Sequence, residues 1–144
     1  IKWIKSIWNG PVIIKGIQSV EDAKKVASLG ISAIVVSNHG GRQLDRSPVP
    51  LEIISEIVKT VGKKVEVYID GGILSGQDVY AAIALGAKAV LIGRSYLYGI
   101  MAGGELGVNR VIDILERDLK NTMALTGNIN LNQVRKAGAR IRNI

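Results

Sequence analysis

A chain of 144 residues with 47% hydrophobic content is long enough to bury one core and too short for two well-sized domains. It contains no cysteine, which excludes a disulfide framework and a thiolate metal site and makes a reducing cytoplasm the expected compartment; no basic-then-apolar leader or bilayer-length apolar run is found either. The formal charge of +7 does not describe a nucleic-acid surface. The basic residues are scattered, much of the excess sits in Arg135, Lys136, Arg140 and Arg142, and the six aromatics are not interleaved with them as a stacking platform requires.

Trp3, Ile4, Ile7 and Trp8 recur at helical spacing, so residues 1–9 read as the end of an amphipathic helix. Gly10-Pro11 breaks it, and Val12-Ile13-Ile14 predicts a short buried strand ending in Lys15-Gly16. Ser19-Val20-Glu21-Asp22 has the form of a helix start, with a hydroxyl able to cap amides and acids in the positive first turn. Val20, Ala23, Val26 and Ala27 share the inward face of that helix, which Gly30 closes. Ala33 to Val36 form the second strand. After a glycine-rich loop, Leu51, Ile54, Ile57, Val58 and Val61 mark the next helix, with Gly62 as its stop.

Val65 to Ile69 predict a third strand that runs into Asp70-Gly71-Gly72, and Ser75-Gly76-Gln77-Asp78 starts a mostly apolar helix ending near Gly86. Ala89 to Ile92 form a fourth strand, closed by Gly93-Arg94. A long helix from about Glu105 to Leu125 turns Val108, Val111, Ile112, Leu115, Leu119 and Met123 inward. Beyond Gly127 the expectation is a short helical turn and a tail. Four strand-loop-helix repeats with wholly apolar strands imply a parallel sheet covered by helices. Two architectures fit: a four-strand doubly wound sheet, or half of an eight-stranded barrel that needs about 250 residues to close.

The unusual residues fall at the strand ends: Lys15-Gly16, Ser37 to Arg42, Asp70-Gly71-Gly72 and Gly93-Arg94. His39 is the only histidine, three positions before Arg42, a pairing that suits proton abstraction beside an anchored carboxylate. Glycines at the third and fourth ends let backbone amides approach a phosphate, and Arg94 adds a charged fork. Taken singly, Lys15 could snorkel, Asp70 could cap a turn and Arg94 could pair with a surface carboxylate. Their shared position at one end of parallel strands, where barrel active sites are built, favours a site.

The runs Ile14-Lys15-Gly16-Ile17, Ser37-Asn38-His39-Gly40-Gly41-Arg42-Gln43-Leu44-Asp45, Asp70-Gly71-Gly72-Ile73, Leu85-Gly86-Ala87 and Ile92-Gly93-Arg94 resemble, in order and spacing, the FMN-dependent α-hydroxy acid dehydrogenases and oxidases. Lactate dehydrogenase, glycolate oxidase and mandelate dehydrogenase are of that family. The resemblance implies an α/β fold, the C-terminal half of a TIM (β/α)8 barrel made of its last four βα units, with residues 1–144 as one partial domain and 128–144 as its tail. It implies FMN as cofactor and a small 2-hydroxy acid as substrate. Lys15 would lie against the N1 and O2 edge of the flavin, and Ser37 would also touch the isoalloxazine. His39 would take the proton of the substrate 2-hydroxyl as hydride leaves for the flavin, or remove the α-proton. Arg42 would grip the carboxylate. Asp70, Gly71, Gly72, Ile73 and Leu74 would line the ribityl and phosphate chain, with Gly93 and Arg94 on the phosphate.

Two departures accompany the resemblance. Where the family carries an arginine after Asp-Gly-Gly-Val/Ile, this chain has Leu74, followed by Ser75-Gly76. A charge-assisted bond to phosphate is worth about 1.5–3 kcal/mol, so FMN affinity is expected to fall roughly ten- to hundredfold. The first half of the barrel, with further flavin contacts, a substrate tyrosine, a second arginine and the aspartate that orients the base, is not in this sequence. A half-barrel would expose two sheet edges and an open face of Val and Ile, so pairing with the other half, self-association or marginal folding is expected. The competing readings are an inactive split or truncated half that acts only by pairing with a partner, and a barrel half that holds a sugar phosphate.

Overall fold

The computed structural model describes residues 1–141; Arg142 of the basic C-terminus lies outside the described residues. In chain order it comprises α1 (Lys2–Ile7), β1 (Ile13–Ile17), α2 (Val20–Ala27), β2 (Ala33–Val36), a 3-10 turn (His39–Gly41), α3 (Pro50–Val61), β3 (Glu66–Ile69), α4 (Gly76–Ala84), β4 (Ala89–Val90), α5 (Arg94–Leu125) and α6 (Leu131–Ala137). The strands form one sheet, parallel throughout, in the spatial order β1-β2-β3-β4. A doubly wound sheet reverses its order at a switch point, whereas a barrel adds each strand beside the last. The unreversed order selects the barrel, so the chain is four consecutive βα units of a partial TIM barrel.

Helix starts follow local chemistry. Ser19 accepts the Asp22 amide at 3.1 Å, and Ser75 and Asp78 form a reciprocal capping box at the head of α4. Ile34, Val36, Val67 and Ile69 point from the strands into a core shared with Ala23, Ile54, Ile57, Val61 and Ala82 from the helices. The strands alternate sides, and the opposite face of the sheet carries other chemistry. There Lys15 pairs with Asp70, Lys88 reaches Glu66 at 3.9 Å, and Tyr68 donates to Glu66 Oε2. The expected open face of Val and Ile is thus a mixed one: Ala33 and Val35 lie on it but are buried among these polar groups, and Ile13 and Leu91 are its exposed large aliphatics.

Three other elements differ from expectation. The ladder of β4 covers only Ala89–Val90, although the Leu91 amide still donates to the Ile69 carbonyl at 2.9 Å. The last long helix begins at Arg94 and doubles back at Gly103-Gly104, where Gly104 adopts φ of 56°. Val108, Val111, Leu115, Leu119 and Met123 are partly buried, but Ile112 is exposed. Residues after Gly127 do more than trail: α6 is capped by Asn130, and its Val134 is fully buried against Ile83 and Ala84 of α4. Among the described residues no helix is long and apolar enough to cross a membrane.

Candidate active site

The site begins with an irregularity in β1. Lys15 pairs with Val35 but Ile17 pairs with Val36, so Gly16 is an extra residue in a bulge, with φ of 97°. The bulge leaves Lys15 on the inner face and turns Ile17 into the helix-side core. Lys15 Nζ lies 2.7 Å from Asp70 Oδ2 and donates to Ser37 Oγ at 2.9 Å. Two strand ends are thereby tied through one ammonium.

The chain then leaves β2 in a tight turn. Ser37 Oγ accepts the His39 amide at 3.0 Å, Asn38 Oδ1 accepts the Gly40 amide at 3.0 Å, and His39 takes φ of 56°. That left-handed backbone is rare for a residue with a side chain. It sets the imidazole beside Gly16: a Cβ on Gly16 would lie 2.6 Å from His39 Cε1. Arg42 follows at the end of the turn, exposed on the same rim.

At the end of β3, Asp70 gives one oxygen to Lys15, while its Oδ1 is buried without a partner among the described residues. Gly71 and Gly72 have φ of 90° and 79°, Ile73 is buried, and Ser95 donates to the Ile73 carbonyl at 3.0 Å. That bond fixes the head of α5 against the Asp70 loop. The first amides of α5 have no intrahelical acceptor, and Arg94 stands beside them, so the helix start is favourable to an anion.

These ends surround one open cavity of about 580 Å³. Lys15, His39, Arg42, Asp70, Gly71, Gly72, Ile73, Leu74, Gly93 and Arg94 all line it. Ser37 does not: it is fully buried behind Lys15 and His39. Tyr96 and Leu97 also line the cavity and are not among the expected site residues, since the sequence reading assigns no element between Arg94 and Glu105. The spacing of Leu97, Ile100 and Met101 was the available signal for a helix there. Three cationic side chains, Lys15, Arg42 and Arg94, and the single carboxylate of Asp70 line this mouth. An orphaned carboxylate oxygen beside cations and left-handed glycines fits a ligand that carries both hydroxyl donors and an anionic group.

Parallel βα units with a basic, glycine-lined mouth at the carboxyl ends of the strands define a partial TIM barrel with its candidate site on the rim where such barrels carry theirs. The sequence matches the FMN-dependent dehydrogenase family over residues 1–140, and the chain belongs to that family. It is 54% identical over 127 residues to a putative L-lactate dehydrogenase of Mycobacterium tuberculosis, covering 88% of this chain and 31% of that protein. It is 46% identical over 149 residues to a peroxisomal (S)-2-hydroxyacid oxidase of Arabidopsis thaliana, covering 100% of this chain and 41% of the relative. A mandelate oxidase solved with benzoyl-formic acid superposes with a TM-score of 0.89 at 42% identity, over 92% of this chain and 40% of that one. The chain therefore spans about a third to two fifths of the length of these relatives.

Proposed function

We propose that this chain is the cofactor- and base-bearing part of an FMN-dependent oxidoreductase that converts small 2-hydroxy acids, such as lactate, to 2-oxo acids. The observation that carries the reading is the meeting of His39, Arg42, Lys15 and the Gly72 and Gly93-Arg94 loops in one cavity. FMN, when bound, supplies a two-electron acceptor. Gly93, Arg94 and Gly72 would hold its phosphate, Asp70 Oδ1 would accept from a hydroxyl of its chain, and Gly71, Ile73 and Leu74 would line the same path. Lys15 would set a positive charge beside the ring, where Asp70 and Ser37 already orient its ammonium.

Arg42 binds the substrate carboxylate, for which a planar guanidinium offers two parallel donors. His39 accepts the proton of the 2-hydroxyl; an imidazole is the side chain whose basicity suits that task near neutral pH. Oxidation removes two electrons and two protons from the acid, and His39 would take the first proton. The opposite wall of the mouth would come from a covering half-barrel or a second copy of this chain, meeting the edges of β1 and β4. Turnover is the property of that closed assembly. A cytoplasmic setting accords with a chain free of cysteine.

The test is anaerobic addition of L-lactate, glycolate or L-mandelate to the FMN-loaded, closed assembly. Bleaching of the flavin band by at least one acid, abolished in His39→Gln, is the expected result. FMN that binds but stays coloured with all three overturns the substrate assignment, and failure to bind FMN at all overturns the cofactor assignment.

A further inference from the structure

The hydroxyl of Ser37 lies outside the cavity and still touches both of the groups that work in it. Its oxygen accepts from Lys15 Nζ at 2.9 Å and from the His39 amide at 3.0 Å, and the residue is 0% exposed. A serine oxygen has two lone-pair sites, so both are in use. The second bond is made by a residue in the left-handed region, with φ of 56°, where a backbone bearing a side chain persists only if its surroundings hold it. Below the imidazole, Gly16 leaves the space that a Cβ would fill at 2.6 Å from His39 Cε1.

We propose that Ser37 is a positioning residue for His39: its buried hydroxyl holds the His39 amide and, with the Gly16 bulge beneath the ring, fixes where the imidazole stands relative to the Lys15 ammonium. The proposal rests on the reading of His39 as the base, yet its geometry is measurable without cofactor or substrate. Asn38 Oδ1 binds the Gly40 amide and not that of His39, so it cannot replace Ser37 in this contact. The bulge matters because Lys15 and Gly16 are adjacent. One register shift in β1 sets both the amine and the floor under the ring.

The experiment is NMR of the full 144-residue chain, where the sole histidine makes the imidazole signal unambiguous. In the unaltered chain, a cross-relaxation peak between His39 Hε1 and the Gly16 α-protons is expected, and the His39 amide should exchange slowly with solvent. Ser37→Ala is expected to weaken that peak severalfold and speed His39 amide exchange by about tenfold or more, as for a lost hydrogen bond. The amides of Ile34 and Ile69 should stay protected. Ser37→Thr, which keeps the oxygen, should restore the peak. A peak and exchange rate unchanged in a folded Ser37→Ala chain overturn the proposal, as does a folded Ser37→Thr chain that behaves like the alanine variant. If neither variant folds, the unaltered chain decides: a missing peak or an unprotected His39 amide overturns it, and their joint presence supports it. A seat confirmed in this way alongside full turnover by His39→Gln would refute the base assignment alone.

Discussion

Leu74 is 59% exposed at the mouth that also holds Arg94 and Gly72, an apolar side chain beside the start of α5. Replacing it with arginine places a second cation there. Leu74→Arg is expected to tighten FMN about ten- to hundredfold and to leave riboflavin, which lacks the phosphate, nearly unchanged; parallel fluorescence titrations check this. Arg94→Ala should weaken FMN by a similar factor. Tyr68 offers a separate check on the inner sheet face. Its hydrogen bond to the Glu66 carboxylate, then partial burial and the negative charge of Glu66, raise its pKa above the ordinary tyrosine value. The stabilisation belongs to the protonated phenol, so it is fully present below the usual tyrosine range and is lost as pH rises through the raised value. Of the four tyrosines, one should therefore ionise late in an ultraviolet titration, and Tyr68→Phe should remove that late step.

Among the elements, the contact between α4 and α5 is the tightest. Gly76 opens α4 with its amide donating to Asp118 Oδ2 at 2.7 Å, and a Cβ on Gly76 would overlap the backbone at Asp118 and Leu119. Gly76→Ala must push the helices apart, at a cost of about 1–3 kcal/mol or more. Ser75→Ala, which removes only the cap, should cost about 1 kcal/mol; denaturant melts of the two variants should rank them in that order. What the amino-acid sequence disclosed here followed locality. Ser19 and Ser75 announced helix starts because capping is written within three residues, and β2 was bounded correctly because four consecutive apolar residues sit between polar turns. The first part of α5 was hidden because Gly99, Gly103 and Gly104 interrupt its pattern, although Gly99 serves close packing against Gly107. The burial of Val134 was hidden as well, since it depends on α4, some fifty residues away in sequence. The site divides along the same line: Lys15, His39, Arg42, Asp70, Gly72 and Arg94 were legible from their types and strand-end positions, whereas Tyr96 and Leu97 sit on the hidden part of α5 and the part played by Ser37 depends on a register shift in the neighbouring strand.

At the scale of the whole molecule, the four-stranded sheet ends in two unpaired parallel edges, β1 and β4, and its inner face holds ion pairs that a covering layer would have to satisfy. The tip of α5 adds Tyr98, Ile100, Met101 and Leu106, all at least half exposed. Such a surface is expected to associate, so light scattering should report a mass of at least two chains; a single-chain mass with a cooperative melt would contradict this. The more basic claim is that four strand ends form one ligand-binding mouth. Its most direct test is to follow backbone amides by NMR as FMN is added. Gly16, His39, Gly72 and Arg94 should shift together along one saturation curve, while shifts confined to a single loop, or none, would show that these residues do not share a site.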